Sequence, residues 1–280
     1  MISIIVLTHN SLKYIQACLD SIYSQDVSGI EIIVIDNGSK DHTPEFIKTN
    51  YTQVNVIENA NNLGSCKARN YGIEISKGEW ILTLDSDVVL KNNFLKEFII
   101  AENKFSKDVG MVQPNILNPD RKTIYSRGIY LSFLRRFYDF GRNKPITFHS
   151  GNSKNIIGSC SASAFYHRSM LEEIKEKTGY FDERFFFLVE DVDLAWRAKL
   201  AKWRVVYLPR AICFHNGNGS ATSYKHRQYL CFRNRYLMIN KNDKLLNKIF
   251  LLLFSFIYEI PIYLYLICTN KYLATKFMKI

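Results

Sequence analysis

The sequence lacks the cysteine patterns that build zinc sites and disulfide frameworks. No C-x-x-C pair occurs among its six cysteines, which are Cys18, Cys66, Cys160, Cys213, Cys231 and Cys268. We therefore expect neither kind of site. The first residues also show no basic segment followed by a long apolar run, so we expect no secretion signal and a reducing, cytoplasmic setting.

Internal repeats, low-complexity tracts and linkers rich in Pro, Gly or Ser are missing from residues 1–220. With 47% hydrophobic residues, the chain has enough apolar side chains for a full core. We therefore predict one domain over residues 1–220, followed by a C-terminal helical region over residues 221–280.

The C-terminal region combines positive charge with apolar length. Ten of the 37 Lys and Arg residues, but only two of the 26 acidic residues, lie in residues 225–280, and the net charge of the chain is +11. Residues 249–268 are apolar and nearly long enough to cross a bilayer, but Glu259 and Pro261 interrupt them. We predict an interfacial or re-entrant element, with a buried pair of C-terminal helices as the alternative.

Cationic and aromatic residues interleave over residues 224–236. This pattern is typical of a helix at an anionic headgroup surface. RNA binding is the alternative for such a basic stretch, but the apolar run that follows favours lipid. We therefore expect an anionic membrane surface as a partner and no nucleic acid.

Four short runs rich in Ile and Val predict strands, at Ser3–Leu7, Glu31–Ile35, Val54–Glu58 and Trp80–Leu84. Their alternation with helical patterns indicates an α/β domain with a mainly parallel central sheet flanked by helices. Ligands of open α/β sheets bind beyond the carboxyl ends of the strands. Because polar residues follow each run, we expect the functional groups to collect at one edge of the sheet.

Asp85 and Asp87 directly follow the fourth predicted strand. Side chains two apart in a strand point to the same side, and paired carboxylates suit Mg²⁺ or Mn²⁺ bound to a diphosphate. A solvated strand end followed by a turn is the alternative. The apolar run before Asp85 favours the metal site, because a buried strand fixes the direction of both carboxylates.

A second acidic group, Glu190, Asp191 and Asp193, stands at the start of a helical pattern. Acidic residues are common there because the helix dipole stabilises negative charge, so ordinary capping is the alternative. The apolar residues before Glu190 favour a partly desolvated cleft instead. In such a cleft burial raises the pKa of a carboxylate and the helix terminus lowers it, which can tune a general base.

Two further segments adjoin these candidates. Residues 210–215 are strand-like and end at His215 before a Gly-rich loop; His215 is either a metal ligand or an ordinary loop histidine. Residues 112–157 mix Pro, Asn, Arg and aromatics without a clear period. We expect them to form loops over the site that influence acceptor choice.

Six motifs in order resemble those of family-2 inverting glycosyltransferases, at residues 3–10, 34–41, 62–72, 84–87, 179–183 and 190–194. They span most of residues 1–216, and their ordered occurrence is far more specific than any one of them. The resemblance implies the GT-A fold, a single nucleotide-binding α/β domain, and transfer from a nucleoside-diphosphate sugar with Mg²⁺ or Mn²⁺ as cofactor. Within the family, residues 190–197 look like those of rhamnosyltransferase-like enzymes.

The resemblance also implies roles for single residues. It implies that Asp87 binds the metal, with His215 as a second candidate ligand, and that Asp191 is the catalytic base. The residues expected to contact the nucleotide sugar are Thr8, Asn10, Asp36, Arg69, Asp85, Ser86 and Glu190. Among these, Asp36 can accept from the imide N–H of uracil or thymine, and Arg69 can donate to the base carbonyls.

The subgroup features define the expected substrates. Residues 65–69 depart from the Gly-rich segment of many rhamnosyltransferase-like members, so UDP- and dTDP-linked donors both stay open. The Q-x-x-R-W segment of processive synthases is missing, which indicates transfer of a single sugar. We expect a saccharide acceptor linked to a polyprenyl lipid, at the cytoplasmic face of the membrane.

Two other functions are compatible with strand-end carboxylates. A nucleotidyltransferase on a similar sheet is one, although the Gly-rich, basic triphosphate loop is missing after the first strand. A non-catalytic, membrane-tethered module that binds nucleotide sugars is the other.

Overall fold

The computed structural model describes residues 1–148, 155–217, 223–254, 257 and 259–269 of the chain. Its first part contains β1 (Ile2–Thr8), α1 (Leu12–Tyr23), β2 (Ile30–Asp36), α2 (Thr43–Asn50), β3 (Asn55–Glu58), α3 (Ser65–Ile75), β4 (Trp80–Asp85), β5 (Val88–Leu90), α4 (Phe94–Glu102) and β6 (Val109–Leu117). Its second part contains β7 (Ile124–Ser126), β8 (Ile129–Leu131), β9 (Phe137–Asp139), β10 (Ser163–His167), α5 (Arg168–Ile174), a 3₁₀ turn (Glu183–Phe185), α6 (Glu190–Leu200), β11 (Arg204–His215), α7 (Tyr224–Asn242), α8 (Leu245–Phe254) and α9 (Ile260–Thr269).

The central sheet of the described chain is mixed. Its strand order is β3-β2-β1-β4-β10-β6-β11-β5, with β7 added on β6. The four predicted strands are confirmed as β1 to β4 and pair in parallel. The other half of the sheet is mixed, which corrects the prediction of a mainly parallel sheet. There β11 pairs in parallel with β6, whereas β10 runs antiparallel to both β4 and β6 and β5 runs antiparallel to β11.

The chain path explains the reversal at β10. After β6 the chain turns into β7, which pairs with Ile116 and Leu117 at the carboxyl end of β6, and then into the β8–β9 hairpin. A strand that re-enters a sheet from the edge where its neighbours end must run antiparallel to them, since a parallel strand requires a crossover back to the opposite edge. The segment 112–157, expected to be loops, therefore contains β7, β8, β9 and part of β6.

Both faces of the sheet are covered. Ile4 and Val6 of β1 pack in one hydrophobic cluster with α1 and α4, whereas Ile5 packs in a second cluster with α3, α5 and α6. This division follows from the period of two along a strand. The two layers leave the carboxyl ends of β1, β2 and β4 open at one edge.

Within the described residues, the C-terminal region contains three helices. On α7, the side chains of Leu230, Asn234, Met238 and Ile239 are buried against the preceding residues. The predicted interfacial element corresponds to α8 and α9, and several apolar side chains of α8 are exposed, including Leu246 at 80% and Leu253 at 63%. None of the helices in the described part of the chain has both the length and the apolar character needed to span a bilayer.

Candidate active site

A cavity of about 820 Å³ opens at the carboxyl ends of β1 and β4. Its volume lies within the range of small-molecule and cofactor sites. The N-termini of α3 and α6 complete its wall, and both helix termini favour anionic groups. We call it the main cavity. Of the residues predicted from the sequence, it is lined by Thr8, Arg69, Asp85, Ser86, Asp87, Glu190, Asp191 and His215.

Arg69 joins three elements at the floor of the main cavity. Its side chain is 4% exposed, and it donates from Nη1 to Glu190 Oε1 and from Nη2 to Asp85 Oδ1, at 2.8 Å each. Burial on its own lowers the pKa of a guanidinium, but the charges of the two carboxylates raise the pKa of Arg69 above its usual value. Arg69 therefore stays cationic and holds α3, the end of β4 and the start of α6 together.

The sequence motif Asp85-Ser86-Asp87 meets His215 beside Arg69. His215 Nε2 lies 3.0 Å from Asp87 Oδ1 and 3.8 Å from Asp85 Oδ2. One ligand atom from each of the three residues lies within 4.8 Å of the others. Two carboxylates and an imidazole fit Mg²⁺ or Mn²⁺, and the nitrogen ligand favours Mn²⁺.

Strand pairing explains how His215 reaches this cluster. As β11 pairs antiparallel with β5, His215 lies opposite Val88, one residue after Asp87. The imidazole also packs edge-on against the ring of Tyr125, with 4.2 Å between ring centroids. Of the two interpretations left open for His215, this position favours metal ligation.

Asp191 lies in the first turn of α6, in the wall of the main cavity. Its Oδ2 accepts from the Ser161 N–H at 3.2 Å, and its Oδ1 accepts from the Val192 N–H at 2.9 Å. Burial raises the pKa of Asp191 to about 7, and the neighbouring charge of Glu190 acts in the same direction. A carboxylate with this pKa can accept a proton near neutral pH.

The turn that leads into Glu190 and Asp191 is strained. Phe186, Leu188 and Val189 all have positive φ, which is rare for bulky residues and rarer still for a β-branched one. Asn234 of α7 is fully buried, and its amide donates to the carbonyls of Phe185, Phe187 and Leu188 at 3.0, 2.9 and 2.7 Å.

These bonds stabilise the carbonyl groups that the turn leaves without helix or sheet partners. Gly64, the residue before α3, packs closely against the other side of this turn and restricts its position. A Cβ on Gly64, whose φ is +84°, would lie 2.5 Å from the Phe186 carbonyl oxygen. The N-terminal end of α6, which carries Asp191, is thus positioned between α7 and the N-terminus of α3.

Asp36 and Asn10 are the two predicted nucleotide-sugar residues that do not line the main cavity. Asp36 Oδ2 accepts from the N–H groups of Gly38 and Ser39, at 3.1 and 2.9 Å. Asn10 donates its N–H to Ser39 Oγ, and its Oδ1 accepts from the Lys40 N–H. Both residues shape the loop after β2, next to the cavity.

Thr8 and Ser86 do line the main cavity and are buried. Thr8 Oγ1 has no hydrogen-bond partner among the described residues. Ser86 donates from Oγ to Ser11 Oγ at 2.8 Å. A buried hydroxyl without a hydrogen-bond partner destabilises the folded state, so Thr8 Oγ1 is a candidate contact for a bound ligand.

The sequence did not single out Asp139 and Arg142, which line the wall formed by the β8–β9 hairpin and the turn after it. Arg142 Nη1 lies 3.2 Å from Asp139 Oδ2, and its guanidinium lies over the ring of Tyr125 at 3.8 Å. Burial raises the pKa of Asp139, and the charge of Arg142 opposes that shift. These residues stand in the segment without a clear period, so no sequence signal marked them.

The comparison with protein families agrees with this arrangement. Residues 3–175 match the family model described as Glycosyl transferase family 2. The chain belongs to this family. Family membership and the mixed sheet with a cavity at its strand ends confirm the GT-A type of fold that the ordered motifs implied.

The chain is also similar in sequence to individual glycosyltransferases. The chain is 34% identical over 123 residues to glycosyltransferase GlyG of Streptococcus pneumoniae, a match that spans 43% of this chain and only 40% of GlyG. It is 25% identical to the N-acetylglucosaminyl-diphospho-decaprenol L-rhamnosyltransferase of Mycobacterium tuberculosis, over 77% of this chain and 76% of that protein.

A solved glycosyltransferase structure shares the fold. Mannosyltransferase PcManGT from Pyrobaculum calidifontis, in complex with GDP-Man and Mn²⁺, matches with a TM-score of 0.59 at 18% identity, over 87% of this chain and 65% of that one.

Replacement of His215 by Ala is expected to weaken Mn²⁺ binding about tenfold or more, because one of the three clustered ligands is removed. Electron paramagnetic resonance of free Mn²⁺ measures the Kd without any turnover. His42→Asn is the control, since the His42 side chain is 84% exposed on another loop. An equal Kd for His215→Ala and the control would contradict the assignment.

Proposed function

We propose that the chain is a metal-dependent, inverting glycosyltransferase that moves one sugar from a nucleoside-diphosphate sugar to a hydroxyl of a saccharide acceptor. The observation that supports this most directly is the placement of Asp191, with its pKa of about 7, in the same cavity as the Asp85, Asp87 and His215 cluster. A base and a cation site in one cavity are the two groups that a direct displacement at an anomeric carbon requires.

In the proposed reaction, Asp191 accepts the proton of the acceptor hydroxyl while the hydroxyl oxygen attacks the anomeric carbon. The bond from that carbon to the diphosphate oxygen breaks, so the nucleoside diphosphate leaves and the configuration inverts. A cation held by Asp87 and His215, with Asp85 adjacent, would neutralise the diphosphate as its negative charge develops. Arg69 fixes Asp85 relative to Glu190, which precedes the base directly.

For the donor, UDP- and dTDP-linked sugars remain our proposal. Thr8 supports a nucleoside contact at the end of β1, because its buried hydroxyl faces the main cavity and has no hydrogen-bond partner within the described parts of the chain. Arg69 also lines the cavity, although both of its terminal nitrogens already donate to carboxylates. The contact of Asp36 with the base stays a prediction, since Asp36 lies behind the lining residues.

For the acceptor, we propose a saccharide linked to a polyprenyl diphosphate, used in the synthesis of cell-surface glycans at the cytoplasmic face of the membrane. The name of the Mycobacterium tuberculosis relative specifies such an acceptor, and the match spans three quarters of both chains. The exposed apolar side chains of α8 and the basic residues around them support attachment to an anionic membrane surface.

Replacement of Asp191 by Asn should lower the rate of sugar transfer by roughly 10²- to 10⁴-fold, the usual contribution of a general base, and leave the Kd for the donor unchanged. Radiolabelled sugar transfer and donor titration measure the two quantities. Asp139→Asn is the matched control, because Asp139 is a second carboxyl group in the cavity whose pKa burial raises. If Asp139→Asn lost sugar transfer and Asp191→Asn did not, Asp139 and not Asp191 would be assigned as the base.

The pKa of Asp191 also predicts a pH dependence. The carboxylate must be ionised to accept a proton, so kcat/KM should fall about tenfold for each pH unit well below 7 and level off above it. The residual activity of Asp191→Asn should lack this acidic limb. If kcat/KM of the unmodified protein stays constant from about pH 5.5 to 8, Asp191 does not act as the base in the free enzyme.

Membrane attachment is expected to depend on the exposed face of α8. The double substitution Leu246→Glu and Leu253→Glu places two negative charges on that face and should reduce co-sedimentation with vesicles that contain anionic phospholipid. Leu200→Glu, at a side chain 58% exposed on α6, is the control for added charge. Equal sedimentation of the α8 variant and the control would refute the attachment.

A further inference from the structure

A second, smaller cavity lies away from the candidate catalytic groups. Its volume is about 270 Å³, and it is enclosed by α7, α8 and the turn of the β8–β9 hairpin. We call it the side cavity. Its apolar wall is formed by Leu134, Tyr236, Ile239, Leu251, Leu252 and Phe254, and its polar groups include Arg235 and Lys248.

The main and side cavities lie along the same face of α7. Arg227 and Cys231 line the main cavity, whereas Arg235 and Ile239 line the side cavity. These four residues are spaced by four, which keeps them on one side of a helix. From Cys231 to Arg235 the helix rises only about 6 Å, so a single elongated ligand can reach both cavities.

The β8–β9 hairpin connects the same two cavities. Phe137, Tyr138 and Asp139 line the main cavity, and Leu134 in the turn lines the side cavity. Between the cavities the hairpin is tied to α7, because Arg235 donates to the carbonyl oxygens of Leu134 and Arg135 at 2.6 and 3.0 Å. Two independent elements therefore place the side cavity beside the main one.

The polar lining of the side cavity is mainly cationic. Arg235 and Lys248 line it together with Glu259, and Glu259 accepts from Arg235 at 2.7 Å. Two cationic side chains and one carboxylate leave an excess of positive charge among the described lining residues. This excess is complementary to a diphosphate, and arginine is well suited to phosphate oxygens.

Exposed apolar side chains continue outward from the side cavity. Leu252, which lines it, is 60% exposed, and Phe133 on the hairpin is 69% exposed. The ring of Phe133 lies 5.4 Å from that of Phe250 on α8. An apolar chain longer than the side cavity therefore finds further apolar surface at its mouth.

We propose that the side cavity binds the polyprenyl chain of the lipid-linked acceptor. The diphosphate then lies beside Arg235 and Lys248, and the acceptor sugar enters the main cavity near Asp191. The proposal rests on the proposed function, because it assumes a lipid-linked acceptor. It adds the place where the lipid is recognised and the residues that distinguish a long chain from a short one.

Binding of decaprenyl diphosphate and of dimethylallyl diphosphate to the full chain, in the same detergent, tests the proposal without turnover. The full chain should bind the long-chain diphosphate at least about tenfold more tightly, since burial of two methylene groups is enough for that factor. Leu252→Glu should remove most of this preference. Leu245→Glu is the matched control, because Leu245 is 71% exposed on the same helix and does not line the side cavity.

Equal Kd values for the two diphosphates would overturn the proposal. An equal loss of chain-length preference in Leu252→Glu and Leu245→Glu would also overturn it, as this outcome indicates adsorption to the detergent micelle only. Donor binding and circular dichroism verify that each variant is folded. Chain-length preference without any sugar transfer would refute the proposed function alone, whereas transfer with the same KM for long- and short-chain acceptors would refute the side-cavity assignment alone.

Discussion

The candidate site depends on one buried guanidinium. Arg69 is the group that holds Asp85 at the end of β4 and Glu190 at the start of α6, and these carboxylates are 105 residues apart in sequence. Loss of one member of a buried ion pair is strongly destabilising, because the remaining charge stays buried without compensation. The same interaction links the cluster of Asp85, Asp87 and His215 to the start of α6, where Asp191 lies, so stability and site geometry are coupled at Arg69.

A second constraint comes from the C-terminal region. Asn234 of α7 binds three carbonyl groups of the strained turn before Glu190, and Lys241 near the end of α7 binds the buried Asp182 and Asp193. Helix α7 is therefore part of the support for Asp191, although the sequence pattern predicted it only as a surface helix. Since α7 also lines both cavities, the elements that support Asp191 adjoin the proposed lipid site.

The sequence predicted those features that depend on local patterns. Strands β1 to β4 were predicted from their runs of Ile and Val, and the position of Asp85 and Asp87 was predicted because they follow a buried strand. Features that depend on the chain path could not be predicted. The direction of β10 follows from the hairpins before it, and the burial of Asn234 follows from a turn 46 to 49 residues earlier. The contact of Asp36 with the nucleotide base stays a prediction, and the structure adds that its carboxylate accepts from the N–H groups of its own turn.

By itself, the sequence determined the family, the α/β class, the strand-end carboxylates and the acidic start of α6. Each of these depends only on neighbouring residues or on the order of motifs. Only the tertiary structure decided that Asp85, Asp87 and His215 form one cluster, that Asp139 and Arg142 complete the cavity, and that Asp193 faces α7 while Asp191 faces the cavity. The physical reason is that helical periodicity specifies which residues share a face, whereas the partner of that face is fixed by packing between distant segments.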